Sequence, residues 1–187
     1  SVFLFKDRII QQFVNAANQK LNTPVKIGKI DISMFSDFPN IAIVFTDVYV
    51  EDSHPGNYPL LTADRIAFNL NALELWKGNY SIRGLAVTGS ETNLKINAAG
   101  KGNFVVLKDT PKEGGGVVSF DLRNVKLNKT ILSYQDQQLK HHHVFNSEKL
   151  IASILVTGDL YQIEAEGDVV TEQIGINNSI YLNNKSF

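Results

Sequence analysis

Four histidines, His54 and the run His141-His142-His143, are the first candidates for chemistry, because imidazole can ligate a metal or move a proton near neutral pH. A metal site needs ligands converging on one point, and neighbouring residues of a strand point to opposite faces. Only His141 and His143 could then share an ion, and with no cysteine and no nearby histidine to complete the set, metal ligands are assigned to none. Asp52-Ser53-His54-Pro55 holds the residue types of a catalytic triad, but four consecutive positions cannot align as nucleophile, base and orienter, so it reads as a turn. Gly100-Lys101-Gly102-Asn103 lacks the spacing, the Lys-Ser/Thr ending and the following helix of a phosphate loop, and reads as a hairpin turn. Glu164 and Glu166 could share one strand face as paired carboxylates, a pattern that a solvated edge explains. Catalytic and cofactor-binding residues are therefore also assigned to none, no cofactor is expected, and the chain is not read as an enzyme.

The elements that would position any site come next. The chain has 187 residues, 43% hydrophobic, 20% charged and 10% aromatic, with no cysteine and a formal net charge of −1. This is a globular balance, large enough to bury a core. It excludes a disulfide scaffold and gives no basic field to draw nucleic acid, so no nucleic-acid partner is expected. No run approaches the roughly 20 apolar residues of a membrane span. Ser1-Val2-Phe3-Leu4-Phe5, however, meets Lys6-Asp7-Arg8 abruptly, as the trimmed end of a membrane anchor would. An ordinary helix start with buried Phe3 and Phe5 is the alternative.

Residues 4–21 read as an amphipathic helix, with Ile10, Phe13, Val14, Ala17 and Leu21 at three- and four-residue spacing, ended by Pro24. Short alternating runs rich in Val, Ile, Phe, Tyr and Thr follow, the pattern of β-strands, with one further helical turn at Ala72–Trp76. Turn-rich breaks at 36–40, 52–59 and 108–116 divide the chain into a helix (1–22), a first β-repeat unit (23–107), a flexible loop (108–116) and a continuation of the same sheet (117–187).

Four segments share the pattern apolar–x–apolar–x–x–apolar–x–apolar: Val25–Ile32, Ile43–Val50, Tyr80–Val87 and Phe120–Leu127. In a regular strand the two apolar pairs would face opposite ways. A β-bulge at the x–x pair returns them to one face, and Gly28, Asp47, Gly84 and Asn124 are residue types that tolerate such geometry. The expected fold is mainly β with an N-terminal helix: a long, bulged, twisted antiparallel sheet curling into a groove or open half-barrel, with the helix packed at one end. Val44, Tyr49 and Ala86 are apolar exceptions on the otherwise polar face. Eight such strands present on the order of 1,000 Å² of apolar face, of which one helix masks about a quarter to a third. The remainder must close as a sandwich, pair with further chain or hold apolar ligand.

The run Pro24–Asn40 resembles the N-terminal region of AsmA-family proteins in its Bacteroidetes form. Asp47–Asp52, Leu61-Thr62-Ala63, Leu73–Gly78, Tyr80–Leu85 and Gly102-Asn103-Phe104 extend the likeness over about residues 5–107, and Phe120–Leu127 with Ile131–Asp136 continues it more weakly. The resemblance implies a longer periplasmic protein held in the inner membrane by a helix before residue 1, related to TamB-like β-groove proteins that conduct phospholipid. It also implies a part in outer-membrane lipid homeostasis or assembly. On that reading Val48, Val50, Phe68, Leu70, Leu85, Val87, Val125 and Leu127 line a lipid groove. The expected partners are phospholipid or another apolar ligand, and envelope-assembly proteins. A closed interaction sandwich that docks such proteins by strand addition is the alternative. A carbohydrate-binding domain with an aromatic platform around Trp76, Tyr80 or Tyr161 is the third reading.

Overall fold

The computed structural model describes residues 7–8, 10–12, 14–15, 18–19, 21–34, 39–79, 81–106, 119–120, 124–157, 160–177 and 179–186. The described residues between 7 and 18 are helical, as their apolar spacing predicts, and Gln19 N–H donates to the Asn15 carbonyl in the last turn (3.3 Å). No helix among the described residues is long and apolar enough to cross a membrane. The loop 108–116 lies outside them.

Among the described residues eleven strands follow: β1 (Val25–Met34), β2 (Asn40–Glu51), β3 (Pro59–Asn71), β4 (Ser81–Ile82), β5 (Gly84–Ile96), β6 (Ser119–Phe120), β7 (Val125–Asp136), β8 (His141–Thr157), β9 (Leu160–Gly167), β10 (Val170–Ile176) and β11 (Ser179–Ser186). Nine of them form one open sheet in the order β1-β2-β3-β5-β7-β8-β10-β11, with β9 also on β8, while β4 and β6 pair separately. The fold is thus mainly β, as expected.

One expectation is corrected: the sheet is mixed rather than purely antiparallel, because β5 and β7 run parallel, as do β4 and β6. Parallel neighbours cannot be joined by a tight hairpin. The Asn97–Gly100 turn first reverses the chain, so that Asn103 N–H reaches the Lys95 carbonyl (2.9 Å), before the chain crosses over to begin β7. At the far end, β10 pairs with the first part of β8 and β9 with its last part, so β9 and β10 lie end to end along one edge of that long strand.

The inserted residues are the feature that organises the sheet. Ile27 and Ile30, Phe45 and Val48, and Ala63 and Ile66 are each three positions apart, yet all six belong to one apolar cluster. Between them the ladder skips one cross-strand pair at a constant level: Gly28 opposite Asp47, Asp47 opposite Asp64, Asp64 opposite Gly89, Gly89 beside Lys129, and Lys129 opposite Glu148. Because six neighbouring strands carry the extra residue at the same level, the register on either side is preserved. Asp47 on β2, Gly89 on β5 and Lys129 on β7 take positive φ of 54°, 60° and 52°. Gly89 cannot be replaced at no cost, since a Cβ there would lie 2.0 Å from the Asp64 carboxylate.

A second irregularity falls at Arg83, between β4 and β5. Ile82 and Leu85 on its two sides pack into the same cluster, which is the outcome expected for the repeat around Gly84. Asn124, before β7, also has positive φ (60°).

The short helix Ala72–Trp76 closes one end of this core face. Asn71 caps it by accepting from Leu73 N–H (2.9 Å) and Glu74 N–H (3.2 Å), and Ala72 and Leu75 bury into the cluster. The Arg8 guanidinium lies 5.3 Å from the Trp76 ring centre, which brings the N-terminal helix to the same end.

Candidate functional site

The core face changes character from one side of the sheet to the other. On β1–β3 it is a filled core: Ile41, Ile43, Phe45, Val48, Ile66 and Leu70 are buried, Phe45 and Phe68 meet edge to face at 5.1 Å, and Ile43 has no exposure (0%). From β5 to β10 the same face is a grid in which Thr92, Leu132, Phe145 and Thr171 form one row and Leu94, Tyr134, His143 and Ile174 the next. Leu94, Leu132, Phe145 and Ile174 are only half-buried there, so apolar side chains meet solvent.

The groove-lining residues expected from sequence fall in the first region or at its boundary. Val48, Leu70, Val87 and Val125 are buried, and Val50, Phe68, Leu85 and Leu127 pack against the cluster. All eight share the core face, but the half-exposed apolar surface lies beyond them, on β5–β10. Sequence reasoning missed that part because the face positions beside the bend on β5, β7 and β8 are Ser90, Thr130 and Ser147, not aliphatic residues. Ser90 and Thr130 satisfy each other through their hydroxyls (2.8 Å), whereas the buried Ser147 Oγ has no partner. A signal was available on β3: Leu61-Thr62-Ala63-Asp64-Arg65-Ile66-Ala67-Phe68 fits the repeat pattern in full.

The apolar exceptions on the other face also find a place. Val44 and Ala86 join Ala42 and Ala67 in a small separate cluster, and Tyr49 lies under the Lys26 ammonium at 5.2 Å.

The histidine run behaves as strand alternation requires. His141 and His143 share the core face with ring centres 5.4 Å apart, and His143 stacks on Tyr134 (6.0 Å), while His142 Nδ1 meets the Gln173 amide (3.2 Å). Burial, and then the neighbouring His141 and His142, push the His143 imidazole below its ordinary pKa, and its Nδ1 is buried without a partner. Burial first, then the Asp136 carboxylate, pushes the Tyr134 phenol up. Among the described residues no group of three or more His, Asp or Glu is placed to hold a metal.

The Asp52–His54 segment is a turn, with Asp52 Oδ1 accepting from His54 N–H (3.0 Å) and the ring Nε2 3.0 Å from the Lys101 carbonyl. Asn97 Oδ1 builds the hairpin before Gly102 by accepting from Ala99 and Lys101 N–H. The residue missed here is Asn103, which is fully buried. Its amide donates to Asp52 Oδ2 (3.0 Å) and the Asn93 carbonyl (2.9 Å), its Oδ1 accepts from Lys95 N–H (2.8 Å), and its carbonyl accepts from Ser53 N–H (2.8 Å). This clasp ties the β2–β3 loop to the end of β5. Glu164 and Glu166 are exposed on β9, and Trp76 is 57% exposed beneath Arg8.

Comparison with known proteins found no matching family model, no similar curated protein and no similar solved structure.

Proposed function

We propose that this chain is a non-enzymatic β-module of an AsmA-like envelope protein, acting in phospholipid transport or outer-membrane assembly through an apolar β-groove in the periplasm. The observation that supports the reading is the aligned row of inserted residues, which keeps the apolar side chains of β1–β3 on one face and continues that face over β5–β10 with half-exposed Leu94, Leu132, Phe145 and Ile174. An acyl chain on that face gains about 0.8 kcal/mol per buried methylene without needing a specific polar partner. In this role the filled core of β1–β3 is the rigid end of the groove, and Leu132 and Phe145 belong to its working surface.

Native mass spectrometry after incubation with phosphatidylethanolamine–phosphatidylglycerol vesicles tests the reading. Bound phospholipid is expected on the unmodified chain and a several-fold loss on Phe145→Asp, a half-exposed position. Failure of any phospholipid to remain bound would overturn it.

A second reading is favoured by different observations. Among the described residues the outer strands β1 and β11 pair on one side only, and Ile180 and Tyr181 on β11 are exposed. A module that docks envelope-assembly proteins by strand addition would use such an edge. Proline substitutions along β11 that abolish partner capture and leave lipid binding intact would select this reading.

A further inference from the structure

We infer that the cavity between the tips of the β7–β8 and β10–β11 hairpins is a binding site for a phosphate-type anion. Asn177 N–H donates to the Lys140 carbonyl (3.0 Å), which sets the two hairpin ends side by side, and a half-open cavity of about 510 Å³ lies there, within the usual size of a small-molecule site. Its lining is rich in donors. Lys140 contributes an ammonium, His141 and His142 reach it from opposite faces of β8, and Gln135, Gln173 and Ser179 add amide and hydroxyl groups.

None of its described lining residues is acidic. The nearest carboxylate in the ladder, Asp136 opposite His141, is buried, with Oδ1 accepting from Leu139 N–H (2.8 Å) and Oδ2 from the Tyr134 hydroxyl (3.2 Å). A cavity whose described lining offers an ammonium, amide and hydroxyl donors and imidazole nitrogens, with no carboxylate among those residues, favours an oxyanion over a cation. Lys140, the last residue of the β7–β8 turn, holds a positive φ (54°).

The anion could be free phosphate or the phosphodiester of a lipid headgroup, and the inference does not depend on the apolar-face reading. It is tested by NMR titration of the whole chain at constant ionic strength, in one arm with inorganic phosphate and in the other with dihexanoyl phosphatidylglycerol below its micelle concentration. Shifts confined to the amides around Lys140, His142 and Ser179 are expected. Affinity should fall about tenfold in Lys140→Gln and also in Ser179→Asp, both exposed positions where the fold should tolerate the change. Saturation in both arms assigns the site to the phosphate group itself. Saturation by the lipid alone assigns it to a headgroup carried on acyl chains. Absence of pocket shifts in both arms, or affinities unchanged in both variants, would overturn the inference.

Discussion

The core face of β1–β3 and the same face of β7–β10 are built on one device and end in different states. Both sides of the sheet carry an inserted residue at the same level, Asp47 on β2 and Lys129 on β7, each with positive φ, so both hold residues three apart on a common face. On β1–β3 those residues are aliphatic and aromatic and the face is filled. On β7–β10 they include Thr130, Ser147, Tyr134 and His143 among half-exposed Leu132 and Phe145. Backbone geometry therefore decides which way side chains face, and side-chain identity decides whether that face becomes core or surface.

The comparison is most easily broken in the filled region. Ile43→Ala should cost about 2–5 kcal/mol in urea unfolding, since the side chain is fully buried, whereas Leu132→Ala should cost about 1 kcal/mol. Equal costs would mean that the two regions are packed alike. Asn103→Ala should cost about 2–4 kcal/mol, because it removes the donor to Asp52 Oδ2 and leaves Lys95 N–H without its acceptor. Its effect should also appear as faster hydrogen exchange at Ser53 and Lys95.

The row of inserted residues gives a pair of opposite sign. Gly89→Ala should destabilise by about 1–3 kcal/mol through the approach to Asp64, while Lys129→Gly, in the same row, should be neutral or stabilise by up to about 1 kcal/mol by relieving a left-handed lysine.

The smallest effect expected is a pH dependence in the second region. A base whose folded pKa lies below its unfolded value, here His143 below 6.5, stabilises the fold while neutral, and that contribution is lost as the pH falls through the unfolded and then the folded value. The groups facing it are His141, Tyr134 and Asp136, with His142 behind. Lowering the pH from about 7.5 to about 5.5 should reduce the urea midpoint more in the unmodified chain than in His143→Gln.

Much of the sheet was legible in the sequence where apolar residues stand on both sides of the inserted position. Gly28 and Asp47 could be read because Ile27, Ile30, Phe45 and Val48 frame them. The continuation through Gly89, Lys129 and Glu148 was hidden, because Ser90, Thr130 and Ser147 mark the core face there and polar residues carry no apolar period. The parallel pairing of β5 with β7 leaves no trace in the alternation, which is the same for either direction. Nor could the Asp52–Asn103 clasp be read, since it joins residues 51 positions apart through geometry that only the folded sheet supplies.

The account rests on the core face of β7–β8, and on that face alone, meeting acyl chains. The chain has no cysteine, so single cysteines at Leu132 and Phe145, and at their opposite-face neighbours Ile131 and Val144, can each be labelled with a benzophenone and irradiated with phospholipid vesicles. Cross-links to lipid from positions 132 and 145, with at most background from 131 and 144, are the predicted result. Equal labelling from both faces, or labelling from 131 and 144 alone, would contradict it.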